Sequence, residues 1–299
     1  MGASVAVAWL DGGPETHGWF ASEVMEEVSG ETRGALDVLD RKWREDPSAV
    51  WIGWLTYEFG RAHGRTGAAR LPALCMRKYA NATRLAPGQT PASVAASVAD
   101  TDSCWWPLSP LQPTLAPDEF RRRVSAAKEL IARGDTYQVN LSQEFRAAYE
   151  SSICDPGSRD EAWLRRMALR LFASLRDRAP ASMGGLIQAE GAWIVSNSPE
   201  RLLSVSLGAA GSPDVACSSP IKGTRRRGAD AGEDAAAIEE LCGCDKERAE
   251  HVMIVDLVRN DLGRCARPGT VRTSPTPRVV SLPTVHHLVT DVECELRKK

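Results

Sequence analysis

"GAWIVSNSPERLLSVSL", residues 191–207, sets two apolar runs on either side of Asn197-Ser198-Pro199. The stretch reads as strand, turn, strand, because Asn, Ser and Pro together favour a chain reversal. On its C-terminal side, residues 245–261 (DKERAEHVMIVDLVRND) place charges first and an apolar stretch after, and end near Gly263, which predicts a long helix. On its N-terminal side, residues 158–178 (SRDEAWLRRMALRLFASLRDR) predict a basic amphipathic helix with a solvated basic face. Before that, TYQVNLSQEF (136–145) alternates Tyr137, Val139 and Leu141 against Gln138, Asn140 and Ser142, which predicts a strand with one polar face. Pro117, the acids Asp118 and Glu119, apolar residues at Phe120, Val124, Ala127 and Ile131, and a stop at Gly134 predict a helix there. AVWIGWLTYEFG (49–60) reads as a strand or two, followed by an arginine-rich turn that holds His63 as a loop histidine. Helices and antiparallel-type hairpins mix without the regular alternation of a βαβ series. The fold class is therefore α+β, with largely antiparallel sheets and flanking helices.

Residues 84–116 are rich in Pro, Ser, Ala and Thr and carry no helical or strand period, so they form the expected linker. It separates an N-terminal domain, 1–83, from a C-terminal domain, 117–299. Of 299 residues, 43% are hydrophobic and 25% charged, a normal globular balance, and the formal net charge of −2 gives no electrostatic case for nucleic acid or an anionic membrane. No apolar stretch is long enough to span a bilayer, and the N-terminus lacks the pattern of a signal peptide, so a cytoplasmic location is expected. The eight cysteines are scattered; only Cys242 and Cys244 are close, and no paired Cys/His hairpins mark a zinc site. They read as reduced thiols.

Chemistry-bearing side chains stand at four places: Glu200 at a Ser-Pro-Glu turn, Lys222 in SSPIKGTRRRG (218–228), Glu250 ahead of VMIVDL, and His286-His287 in LPTVHHLVT. Each alone has an ordinary reading, as a turn residue, a solvated cation, a helix-dipole partner and a core histidine. Their order and wording carry more. GDTYQVNLSQEF, SNSPERLL, SSPIKGTRRRG, KERAEHVMIVDLVRNDLGR and LPTVHHLVT occur in the order found in the chorismate-utilising enzymes, which include anthranilate synthase component I and aminodeoxychorismate synthase component I. The chain resembles that family across residues 134–290, and WIGWLTYEFG resembles the family's Gly-x-x-x-Tyr-Glu segment.

The resemblance implies chorismate as substrate, Mg²⁺ as cofactor and a glutamine amidotransferase as the partner that supplies ammonia. It makes Glu200 the general acid for the departing 4-hydroxyl, a role that calls for low-dielectric surroundings such as Leu202 and Leu203 would give. It makes Glu250 a Mg²⁺ ligand and places His287 near the ring. Gly223, Thr224 and Arg227 fall in the substrate-binding stretch, where Arg225 to Arg227 would hold carboxylates and help Lys222 stay neutral. Lys222 separates the branches: anthranilate synthases resemble Pro-Ile-Ala-Gly-Thr here, and aminodeoxychorismate synthases Pro-Ile-Lys-Gly-Thr. In the second branch the lysine attacks C2 of the ring as the 4-hydroxyl leaves, and ammonia displaces it at C4. Isochorismate and salicylate synthases also carry lysine at this position and use it to activate water. The expected function is that of the aminase subunit of aminodeoxychorismate synthase, serving p-aminobenzoate and folate synthesis. Anthranilate synthase component I and a non-catalytic fragment are the alternatives. The family continues past the His-His-Leu block with a Gly-rich loop, further Mg²⁺-binding glutamates and an Arg-containing strand. The chain is accordingly expected to be a member truncated at both ends.

Overall fold

The structure, a computed structural model, describes residues 7–12, 17–60, 71–91, 94, 109–148, 161–209 and 211–298. In chain order the elements are β1 (Val7–Asp11), β2 (Gly18–Gly30), α1 (Gly34–Glu45), β3 (Trp51–Leu55), a 3-10 turn (Tyr57–Gly60), β4 (Leu74–Leu85), β5 (Gln112–Pro113), α2 (Pro117–Ala132) and β6 (Phe145–Arg146). They continue with α3 (Glu161–Arg178), β7 (Met183–Ala189), β8 (Ala192–Ser198), β9 (Ser204–Ser206), β10 (Val215–Ser218), β11 (Ile221–Arg226), α4 (Ala231–Gly243) and α5 (Asp245–Gly263). The last are β12 (Arg272–Thr273), β13 (Arg278–Ser281), β14 (Val285–Val289) and β15 (Val292–Glu295). Among the described residues every strand pairing is antiparallel, as an α+β fold of this kind requires. The chain forms two compact units, residues 1–98 with 164–299, and residues 99–163. Residues 92, 93 and 95–108 of the expected linker, and His63, lie outside the described residues.

The larger unit contains a six-stranded sheet in the order β3-β4-β2-β1-β7-β8. β1 lies inside it, and successive residues feed different apolar clusters, as the two-residue period of a strand dictates. Trp9 packs with Leu85, Leu169, Phe172 and Leu186, while Ala8 packs with Ala21, Ile52, Tyr79 and Ile187. α3 supplies Ala168, Leu169 and Phe172 at helical spacing, and Phe172 meets Trp9 edge to face with ring centroids 4.9 Å apart. α1 places Leu39 against Val28, Trp51 and Leu74. Two smaller sheets, β12-β15-β10-β9 and β11-β14-β13, carry the C-terminal half of the unit. α5 seals the first of them through Leu262, which joins Ala216, Ala266, Val292 and Cys294.

Three readings change against the structure. The stretch 191–207 does form strand, turn and strand, but β8 pairs with β7 and β9 with β10, so its two halves enter different sheets. Five residues between Ser198 and Ser204 leave room for the chain to change sheet rather than fold back on itself. Residues 136–144 are not a strand: only Phe145 and Arg146 pair, with Pro113 and Gln112, and Tyr137 is 83% exposed. Alternation without a partner strand is not enough, because an isolated strand leaves its backbone groups unpaired. The basic face of α3 is not wholly solvated either. Arg176 donates from Nε to Asp11 Oδ2 (2.6 Å), from Nη1 to Thr90 Oγ1 (2.9 Å) and from Nη2 to the Gly88 carbonyl (3.1 Å), and its guanidinium lies 4.7 Å from the Trp9 ring centroid.

Candidate functional site

β11 runs from Ile221 to Arg226 beside β14, and its register breaks in the middle: Lys222 pairs with Leu288, but Thr224 already pairs with His287. Gly223 is the extra residue of a β-bulge, with φ +82°. A side chain there would strain the left-handed backbone, and its Cβ would stand 3.0 Å from Leu241 Cδ1 and 3.3 Å from Leu288 Cδ1. The Gly of Pro-Ile-Lys-Gly-Thr thus has a conformational and a packing cause. Gly223→Ala is expected to destabilise the fold by about 1–2 kcal/mol. Urea unfolding checks this, and an unchanged midpoint would mean that the bulge relaxes at no cost.

Three of the expected residues come together along Ile221–Thr224. The Ile221 backbone N–H donates to Glu200 Oε1 at 2.9 Å, across 21 residues of sequence, which brings the glutamate next to Lys222. The turn before it is fixed by the Ser198 hydroxyl, which accepts from the Glu200 N–H at 3.2 Å. On the neighbouring strand His287 Nδ1 lies 3.0 Å from Thr224 Oγ1 and 3.4 Å from the Gly223 carbonyl. Glu200 is exposed, however, and the leucines that follow do not enclose it: Leu202 is 87% and Leu203 52% exposed. The low-dielectric surroundings expected from them are absent.

The arginines beside Lys222 are already engaged. Arg225 donates to Glu240 Oε1 on α4 (2.9 Å) and Glu247 Oε1 on α5 (3.2 Å), tying the strand to both helices. Arg227, read as a substrate-binding residue, forks both Nε and Nη2 onto Asp234 at 2.7 Å each and reaches the Leu282 carbonyl at 3.0 Å. No hydrogen bond or ion pair holds the Lys222 amine among the described residues. In a run of cations, the lysine keeps its amine open while Arg225 and Arg227 brace the frame.

Asp234 is the centre of that frame and was not singled out in the sequence. The Asp230 carboxylate caps α4 by accepting from Gly232 N–H (2.8 Å) and Glu233 N–H (2.9 Å), which places Asp234 toward β11 and β14. It accepts from Arg227, from Gly228 N–H (2.9 Å) and from His286 Nε2 (2.9 Å). Hydrogen bonding to Arg227, then to His286 and the Gly228 amide, holds its carboxyl well below the usual carboxylate range against the opposing effect of desolvation. His286 is fully buried, and its Nδ1 meets Ser281 Oγ at 2.8 Å, so this first histidine of the pair is a satisfied core residue.

Glu250, the expected Mg²⁺ ligand, lies on α5 with Oε1 3.8 Å from Lys246 Nζ. Among the described residues no three His, Cys, Asp or Glu side chains gather in a way that could hold a metal ion. Next to Glu250, His251 is 1% exposed, and its Nε2 is bonded to Thr290 Oγ1 at 2.6 Å. Burial lowers the pKa of this imidazole from its ordinary value of 6.5, with the Lys222 backbone opposing the shift. Because the unfolded chain then takes up the proton first, stability is fully present above pH 6.5 and is lost as pH falls through the lowered folded value. Unfolding free energy is expected to fall between pH 7 and about 5, and His251→Gln to flatten that slope. An unaltered slope in the variant would assign the pH dependence elsewhere.

Residues 13–299 match the family described as chorismate binding enzyme. An aminodeoxychorismate synthase of Streptomyces griseus is 39% identical over 181 residues, covering 60% of this chain and 22% of that protein. Anthranilate synthase component 1 of Aquifex aeolicus (strain VF5) is 36% identical over 181 residues, 60% of this chain and 32% of that protein. The chain therefore matches between about a fifth and a third of these relatives' length. The crystal structure of anthranilate synthase component I from Streptococcus pneumoniae TIGR4 has the same fold, with a TM-score of 0.69 at 23% identity over 96% of this chain and 70% of that one.

Proposed function

The chain belongs to the chorismate binding enzymes, and on that premise we propose that it carries the aminase chemistry of an aminodeoxychorismate synthase, converting chorismate and ammonia to 4-amino-4-deoxychorismate. The observation that supports this reading most is that the Lys222 amine is held by no hydrogen bond or ion pair among the described residues, on the strand segment where Glu200 meets Ile221 and His287 meets Thr224. A lysine committed to an ion pair would have to be released before it could attack. This one is not.

In the proposed reaction Lys222 Nζ forms a bond to C2 of the ring, both ring double bonds shift one position toward C4, and the C4–O bond breaks. Glu200, in its protonated form, gives its proton to the departing oxygen, which leaves as water. Ammonia then forms the C4–N bond as the C2–Nζ bond breaks, and the surplus proton returns to the Glu200 carboxylate. His287, oriented through Thr224, lies beside this path. The ammonia comes from a glutamine amidotransferase partner. Anthranilate synthesis is the second reading, favoured by relatives and a solved structure of that name, and the lysine stands against it.

Product analysis tests the proposal. With chorismate, ammonium and Mg²⁺, 4-amino-4-deoxychorismate is the expected product. Anthranilate with pyruvate would move the chain to the other branch, and isochorismate would mean that Lys222 activates water.

A further inference from the structure

We propose that Cys265 and Cys294 form a thiol pair that small disulfides oxidise, with Cys265 as the attacked thiol and Cys294 as the one that resolves it. The two lie 29 residues apart in sequence, yet their sulfurs converge on one oxygen: Cys265 Sγ is 3.2 Å and Cys294 Sγ 3.9 Å from the Leu262 carbonyl. That carbonyl belongs to the last turn of α5, where acceptors lack partners within the helix. Here it is already satisfied by two amides, the N–H of Cys265 at 3.0 Å and of Ala266 at 2.9 Å. The thiols are weak, surplus donors, and losing both hydrogens to a disulfide leaves no polar group unpaired.

Their surroundings divide the labour. Cys265 is exposed, whereas Cys294 is buried on β15 among Ala216, Leu262, Ala266 and Val292. The bridge between Ala266 and Leu296 fixes the two segments against each other. Burial, and then the neighbouring Cys265, push the Cys294 thiol up, which keeps it protonated until a mixed disulfide forms beside it. The Cys265 thiolate attacks one sulfur of the small disulfide, forming a mixed disulfide and releasing one small thiolate. Cys294 passes its proton to that thiolate and attacks the Cys265 sulfur; the mixed disulfide breaks, the Cys265–Cys294 bond forms, and the second small thiolate leaves. Two protein thiols are oxidised and one small disulfide is reduced to two thiols. The closed loop carries β13 and β14, and with them His287.

Incubation of the chain with oxidised glutathione, alkylation of the remaining thiols and peptide mass analysis test the assignment. The expected result is a disulfide linking the peptides of Cys265 and Cys294, with buried Cys75 recovered as alkylated thiol. In Cys294→Ala a stable glutathione adduct should remain on Cys265, because the resolving sulfur is gone. Wild-type protein that keeps glutathione on Cys265 beside a free Cys294 would overturn the proposal, as would an unmodified Cys265. The wild-type digest decides the matter even if the variant folds poorly.

Discussion

Replacing Lys222 by alanine is expected to cut the rate of 4-amino-4-deoxychorismate formation at least about a thousandfold, with the loss in kcat and little change in KM. The variant removes the atom proposed to bond to C2, so the covalent route is closed. It should leave the fold almost untouched. The Lys222 side chain makes no hydrogen bond or ion pair among the described residues, its backbone pairing with Leu288 needs no particular side chain, and Gly223 still supplies the bulge. A thermal midpoint equal to that of wild type would therefore separate chemistry from structure. Turnover preserved in Lys222→Ala would overturn the nucleophile assignment, whatever the product proves to be.

The largest stability effect is expected at Arg176. Its side chain is 12% exposed and that of Asp11 4%, so the pair is screened little by solvent. Arg176→Ala leaves the Asp11 carboxylate buried without its cation, frees the Thr90 hydroxyl and Gly88 carbonyl from their donor, and strips the Trp9 ring of its covering guanidinium. Breaking a buried pair from one side costs about 3–5 kcal/mol. The double variant Arg176→Met with Asp11→Leu is expected to recover most of that loss, since two apolar groups need no partner. Urea unfolding of both variants measures it. A loss under about 1 kcal/mol for Arg176→Ala would place the pair with ordinary surface bridges.

What the sequence disclosed was local. The helix at 117–132 is written in Pro117, Asp118, Glu119 and Gly134, and the helix at 245–263 in its apolar stretch and terminal glycine, because caps and periods act within a few residues. Lys222, Glu200 and His287 were legible as candidates through the wording around them, and the structure brings all three to one stretch of β11. Asp234 was not, since its importance lies in Arg227 and His286, partners set by how α4 meets β11 and β14. Arg176 was misread for the same reason: nothing near it in sequence says that Asp11, 165 residues away, will be opposite. The exposure of Leu202 and Leu203 was likewise beyond reach, because a leucine pair beside a turn does not say which way the turn faces.

The sheet order has a consequence for synthesis. β1 sits between β2 and β7, with Ala8 opposite Ile187, so one side of this strand is completed by residues made about 175 positions later. At roughly 5–20 residues per second, ribosomal elongation leaves that edge without its partner for on the order of ten to thirty seconds. Through that interval Ala8–Asp11 presents free amides and carbonyls beside apolar Trp9, which is the arrangement that other nascent strands pair with most readily. The nascent chain must therefore keep the second edge of β1 unpaired until β7 leaves the ribosome, which makes elongation speed through residues 12–183 a determinant of yield.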